Sequence, residues 1–253
     1  MHRCYVSPAG WSGSSLTLSP EEQHYLLDVL RAREGDEVTV FDGQGRQALA
    51  EVRVSETPGG GGRRATLVLR AAARAPRPPA LPITLLQALP KGARMDWIVE
   101  KAVELGVAAL VPVLTERVVR RLDERQRTEK AERWRRVARA AARQCGAAAV
   151  PEVREVADLP AALAAGAQAE LFLVGSLAPD ARPLRAALRE RAAAGRPRSV
   201  ALLIGPEGDL TPAELRAAQA AGAQPVSFGA PVLRVETAAL FGLSVLVYEW
   251  AAE

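Results

Sequence analysis

A chain of 253 residues, 49% hydrophobic and 25% charged, is long enough to bury one large core or two modest ones, and its composition excludes a wholly disordered polymer. The net charge of +4 is small, yet every basic residue except Lys91, Lys101 and Lys130 is an arginine, whose planar fork suits phosphates and base edges. Nucleic acid is therefore a candidate partner, although the abundance of Ala, Gly and Pro lets genome composition explain much of the same bias.

Cys4 and Cys145 are the only cysteines and His2 and His24 the only histidines, so neither a disulfide framework nor a zinc cluster can be written, and no metal is expected. A reducing cytoplasm is the simplest setting. The start carries no signal-peptide pattern. The most apolar run, Ala238–Tyr248, falls short of the roughly 20 residues that span a bilayer. A soluble, cytoplasmic protein is expected.

Residues 1–70 read as β-rich. Ser19-Pro20-Glu21-Glu22 has the form of a capping box that starts a short helix running to about Leu30. Glu37–Phe41 alternates as a strand, Asp42-Gly43-Gln44-Gly45 is a hairpin turn, and Gln47–Val54 is the return strand. Gly59–Gly62 makes a loop before a further strand, Ala65–Leu69. Short strands and tight turns predict a small β-barrel. Residues 71–81, rich in proline and alanine, mark a boundary. The expected division is 1–72, a linker at 73–81, and a second domain over 82–253.

From Pro82 strand and helix alternate: Ile83–Ala88, a helix over Met95–Leu105, Leu110–Leu114, a long helix over Glu124–Gln144, Leu171–Val174, Leu184–Ala194 and Val200–Ile204. Such alternation predicts an α/β domain with a parallel sheet, whose ligands sit beyond the carboxyl ends of the strands. Gly175, Gly205 and Gly229 all fall there. On the long helix, Arg135, Arg136, Arg139 and Arg143 share one arc and Trp134, Val137, Ala138, Ala141 and Cys145 the other. The apolar arc reads as core, and the arginine arc as a phosphate-facing or simply solvated surface.

The most informative stretch follows Ile204. Gly205-Pro206-Glu207-Gly208 stops the strand abruptly, Thr211-Pro212-Ala213-Glu214 starts a helix as a capping box, and that helix ends near Gly222. A short strand, Pro225–Phe228, leads to Gly229-Ala230-Pro231, after which Val232-Leu233-Arg234-Val235-Glu236-Thr237-Ala238 opens a last, very apolar helix. Two glycine/proline loops, each between a strand and a helix, can frame a pocket with open backbone groups and with Leu173, Phe228, Val232 and Leu233 as apolar walls. Glycines that merely serve turns are the plainer alternative. No GxGxxG follows the first strand of the domain, and no Walker loop occurs.

The GPEG loop and the LRVETA segment resemble the SPOUT superfamily of methyltransferases. Within it they are most similar to the branch that methylates ring nitrogen 3 of a uridine in 16S ribosomal RNA, and LPKGARMDWIVEKAVELGV matches the same branch. The resemblance implies a PUA-like, RNA-binding barrel, then an α/β domain tied in a deep trefoil knot, S-adenosyl-L-methionine as cofactor, and a homodimer formed through the last helix. Cofactor contacts are implied at Gly205, Glu207, Gly208, Phe228, Gly229, Leu233, Thr237 and Ala238, to which the reading of the strand ends and apolar walls adds Leu173, Gly175, Ile204 and Val232. RNA contacts are implied at Arg3, Arg31, Arg33, Lys91 and Arg94, and the arginine arc of the long helix adds Arg139 and Arg143.

Arg234 and Glu207 are the expected catalytic residues. A permanently charged guanidinium can stabilise the anion left when a uridine ring nitrogen loses its proton, but cannot take that proton. With no histidine in the domain, Glu207 or Glu236 is left for that task, unless either one instead caps a helix or pairs with Arg234. Lys101 and Glu104 read equally well as an exposed helix pair. Asp209 stands where the family usually has a glycine, Ala147 where it has an arginine, and Pro231 near where it often carries a basic residue. Ribose 2′-O methylation and a non-catalytic RNA-binding protein remain the alternative readings.

Overall fold

The structure, a computed structural model, describes residues 2–56, 62–70, 81–117 and 122–250. The expected linker at 73–81 and the loop at Gly59–Gly62 lie almost wholly outside these residues. The chain forms two compact units, the first built from the residues up to 78 together with Arg139–Val150.

In the first unit, strands β1 (His2–Tyr5), β2 (Trp11–Ser12), β3 (Ser15–Leu16), β4 (Glu37–Phe41), β5 (Gln47–Glu56) and β6 (Arg63–Leu69) form one sheet in the order β1-β4-β5-β6-β3-β2. Alternation explains β4 and β5: Val38 and Val40 point into a core with Ala48, Ala50, Val52, Leu67, Leu16 and Leu26. β1 pairs in parallel with β4 and was not legible as a strand. Helix α1 (Pro20–His24) begins as expected, with Ser19 Oγ accepting from the Glu22 amide at 3.3 Å, and passes into a π-turn over Tyr25–Val29. The expected capping box is not completed. Glu22 is buried and its carboxylate takes Arg143 and the Cys4 thiol instead of the Ser19 amide.

The second unit carries an eight-stranded sheet in which every pairing is parallel. Its elements are β7 (Ile83–Ala88), α2 (Arg94–Glu104), β8 (Ala109–Leu114), α3 (Glu124–Cys145), β9 (Glu152–Val153), β10 (Ala157–Asp158), α4 (Leu159–Gly166), β11 (Leu171–Gly175), β12 (Arg182–Pro183), α5 (Leu184–Ala193), β13 (Val200–Ile204), α6 (Pro212–Ala220), β14 (Gln224–Ser227) and α7 (Val235–Trp250). The strand order is β10-β8-β7-β13-β11-β14-β12, with β9 also on β8. β11 and β13 are nearly continuous apolar runs, and β7 is interrupted only by Thr84 and the buried Gln87, because helices cover both faces, as parallel sheets require. Leu86, Val111, Phe172, Val174, Ala201 and Leu203 make one core with α4 and α6.

α3 buries Trp134, Ala138 and Ala141 as expected, and Ala131 with them, but Cys145, placed by its arc in the core, is exposed at the last residue of the helix. α7 packs against α2 and β13. It buries Val235, Ala239, Leu243, Leu246 and Trp250, while Phe241 and Tyr248 face outward. No helix among the described residues is long and apolar enough to cross a membrane.

Candidate active site

Three adjacent strands, β13, β11 and β14, end at the same edge of the sheet, and each runs into a glycine-bearing loop. The loops converge on a cavity of about 670 Å³, within the range that holds a nucleoside-sized ligand. Gly175–Ala178 end and follow β11, Ile204–Glu207 and Asp209 end and follow β13, and Ser227–Arg234 end and follow β14; Val235 and Ala238 of α7 and Arg94 of α2 complete the lining.

The glycines are needed for space and conformation. A Cβ on Gly175 would stand 3.0 Å from Phe228 Cε2, and one on Gly205 would stand 3.2 Å from both Asp209 Oδ1 and the Leu210 amide nitrogen. Gly229 has φ 118°, which side chains rarely adopt. The loop after β13 is closed by α6, where the capping box expected from sequence is complete. Thr211 Oγ1 accepts from the Glu214 amide at 3.2 Å, and Glu214 Oε2 accepts from the Thr211 amide at 2.8 Å. Glu214 Oε1 also accepts from the Glu116 amide at 2.7 Å, so one buried carboxylate ties the segment after β8 to α6.

The charges pair in a way that sequence did not indicate. Glu207 Oε1 accepts from the Lys91 amide at 2.8 Å and from Arg94 Nη1 at 2.6 Å. Arg94 Nε lies 3.6 Å from Glu236 Oε1. Arg94 therefore holds both carboxylates that were candidates to pair with Arg234, and Arg234 has no ion-pair partner among the described residues. Glu236 Oε2 is buried without a hydrogen-bond partner.

Of the cofactor residues expected from sequence, Gly175, Ile204, Gly205, Glu207, Phe228, Gly229, Val232, Leu233 and Ala238 line the cavity, as does Arg234. Leu173 is fully buried in the sheet, and Gly208 and Thr237 are not among the lining residues. Ser176–Ala178 and Asp209 line it without having been singled out as cofactor contacts. Arg117, whose guanidinium donates to the Gly208 carbonyl, was also missed. No local pattern reveals a contact between residues so far apart in the chain. Asp209 did leave a signal, since it occupies a glycine position of the resembling family.

The expected RNA residues are dispersed. Arg94, the first residue of α2, lines the cavity, Lys91 precedes α2 and reaches Glu207 through its amide, and Lys101 forms the exposed pair with Glu104 at 2.8 Å and with Glu100. In the first unit, Arg31 and Arg33 are exposed. Arg3 Nη2 donates to the Ala147 carbonyl at 2.9 Å and its guanidinium lies over Phe41. Arg139 lies over Tyr5, and Arg143 pairs with Glu22 and stacks on Tyr25 at 3.8 Å. Burial raises the Glu22 carboxyl above its ordinary range, with Arg143 opposing the shift, and burial also pushes the Cys4 thiol up.

Comparison with known proteins places this geometry. Residues 77–247 match the RNA methyltransferase domain, and residues 18–56 match the RNA methyltransferase PUA domain. The ribosomal RNA small subunit methyltransferase E of Mycobacterium tuberculosis is 34% identical, with 98% of this chain and 93% of that protein covered. The Bacillus subtilis protein of the same name is 28% identical over 93% of this chain and 90% of its own length. Among solved structures, a Legionella pneumophila protein in complex with bound cofactor SAM superposes with TM-score 0.83 at 31% identity, covering 97% of this chain and 96% of that one. The Neisseria gonorrhoeae ribosomal RNA small subunit methyltransferase E bound to S-adenosyl methionine gives 0.81 at 29% identity, with 99% and 98% covered. Over both its α/β domain and its PUA-like domain, the chain belongs to the RNA methyltransferase family.

Proposed function

We propose that this protein transfers the methyl group of S-adenosyl-L-methionine to N3 of a uridine in 16S ribosomal RNA. The observation that carries the reading is the convergence of the loops after β11, β13 and β14 on one cavity whose lining includes the unpaired Arg234. The close approaches at Gly175 and Gly205, with backbone groups open to a ligand, fit the cofactor. When bound, it supplies an activated methyl group on a sulfonium.

The chain's own residues do the rest. Arg234 stabilises the negative charge that N3 and its neighbouring carbonyls carry once the proton has left. Glu207 lines the cavity and both its donors fall on Oε1, which leaves Oε2 for the N3 proton. Glu236 does not line the cavity and its free oxygen is buried, so Glu207 is the better placed of the two. Leu233, Phe228 and Ile204 exclude water from the reacting atoms. Arg3, Arg31, Arg33, Lys91, Arg94, Arg139 and Arg143 hold RNA, those of the PUA-like unit by way of a barrel-like sheet over residues 1–72. The domain of residues 82–253 is knotted: the lining of one cavity by both the loop before α6 and the segment entering α7 supports this reading. A homodimer through the outward Phe241 and Tyr248 of α7, working in the cytoplasm, completes it.

The test is incubation with labelled S-adenosyl-L-methionine and either small ribosomal subunits or free 16S RNA, followed by nucleoside analysis. The expected product is 3-methyluridine, with Arg234→Ala reducing its rate by about 10²–10³-fold. A 2′-O-methylated nucleoside, or no product with either substrate, would refute the proposal.

A further inference from the structure

Two of the charges that line the cavity lack an ion-pair partner among the described residues, and they are of opposite sign. Arg94 is shared by Glu207 and Glu236, which leaves Arg234 and Asp209. Asp209 is one of only two non-glycine residues at positive φ among the described residues, at 61°, a conformation that glycine adopts freely and most side chains resist. Its Oδ1 accepts from its neighbour's amide at Leu210, 2.8 Å away, and its Oδ2 from the Leu177 amide at 3.1 Å. The carboxylate is thereby fixed where the loop after β11 meets the loop after β13, both of them cavity walls. Glycine would satisfy the backbone at this point, so the carboxylate is an added charge rather than a conformational necessity.

We infer that Asp209 is a specificity-determining residue that makes the cavity prefer a sulfonium nucleoside to its thioether product. The inference rests on the cofactor reading above. In methyl transfer the C–S bond breaks, the methyl group passes to the nucleophile, the bonding pair stays on sulfur, and the sulfur loses its positive charge. Substrate and product then share nearly every apolar and hydrogen-bonded contact, and a fixed carboxylate is among the few features able to tell them apart. A sphere of the cavity's volume has a radius of about 5 Å, so a sulfonium inside it stands on the order of 7 Å from a wall group. At an effective dielectric constant of about 20–40, unit charges at that separation attract enough to change an affinity by about tenfold. The unpaired negative charge thus suits the sulfonium, and the unpaired positive charge of Arg234 suits the nucleobase anion.

The experiment is calorimetric titration of the full-length protein with S-adenosyl-L-methionine, S-adenosylhomocysteine and sinefungin, whose ammonium stands in for the sulfonium. It is run on wild type, Asp209→Asn and Asp209→Gly. Asparagine tolerates positive φ and keeps one acceptor, and glycine removes both the charge and any strain. The expected result in both variants is about tenfold weaker binding of the two cationic ligands, with S-adenosylhomocysteine changed by less than about twofold. Equal weakening of all three ligands would overturn the inference, because a mere tether between loops predicts that pattern. Unchanged affinities would overturn it as well. A folded wild type that binds none of the three would instead remove the cofactor reading itself.

Discussion

Arg94 is where the stability of the site can be measured apart from its activity. Its Nη1 is 2.6 Å from Glu207 Oε1, and its Nε is 3.6 Å from Glu236 Oε1. The three side chains are 40%, 26% and 16% exposed. Exposed pairs contribute about 0.2–1 kcal/mol, whereas removing one partner of a buried pair costs about 3–5 kcal/mol. These exposures lie between the two limits, and solvent screens the Arg94–Glu207 contact more than the Arg94–Glu236 contact. Arg94→Met keeps an apolar stem and removes the charge, so the expected loss is about 2 kcal/mol, or a melting temperature lower by about 4–8 °C. Urea unfolding followed by tryptophan fluorescence, without RNA or cofactor, measures it. A double-mutant cycle with Glu207→Gln, whose amide oxygen still accepts from Lys91, isolates a coupling of about 1 kcal/mol. Arg94→Met within about 0.5 kcal/mol of wild type would refute the view that this guanidinium joins the loop after β13 to α7.

Three further outcomes follow from the geometry. Thr211→Ala removes the acceptor for the Glu214 amide and is expected to cost about 1 kcal/mol in the same urea assay, with an m-value unchanged. Gly175→Ala brings a Cβ to 3.0 Å from Phe228 Cε2 and 3.2 Å from Ile204 Cδ1, and should weaken S-adenosyl-L-methionine binding by about tenfold in calorimetry; unchanged affinity would remove Gly175 from the site. Burial holds the Glu22 carboxyl above its value in the unfolded chain, so the folded state binds more protons just above pH 4.5 and stability falls as pH rises through that window. The free energy of unfolding of wild type, taken relative to Glu22→Gln, should therefore decline as pH rises above about 4.5, with a slope of at most about 1.4 kcal/mol per pH unit.

What was legible in the sequence was whatever rests on local periodicity and punctuation. Val200–Ile204 was read to the residue because a fully buried parallel strand is a short apolar run with clear stops, and Ile83–Ala88 because its apolar residues dominate between Pro82 and Pro90. The α6 start was equally plain, because a capping box is a pattern of four adjacent residues. β1 and α4 were not read. His2–Tyr5 has no apolar alternation and is a strand because β4 offers it a parallel edge. Leu159–Gly166 is a helix without polar spacing because it is covered by α6 and the sheet.

The site divides along the same line. Its loops were visible because glycine and proline announce them, and each lies at a strand end. Its charge pairing was not, because a side chain's partner is set by which strands become neighbours. The sequence spacing of Arg234 and Glu236 suggests a local pair, but α7 turns Glu236 toward Arg94 of α2, 142 positions earlier, and the sheet order brings Glu207 to the same guanidinium. The consequence is chemical. Had Arg234 been paired with either acid, its charge would have been largely neutralised before substrate arrived. With both acids taken by Arg94, the cavity keeps Arg234 on the loop after β14 and Asp209 on the loop after β13 without ion-pair partners among the described residues. The proposed transfer from a cationic methyl donor to an anionic ring nitrogen would be served by that separation of charge, which follows from the order of the strands rather than from any motif.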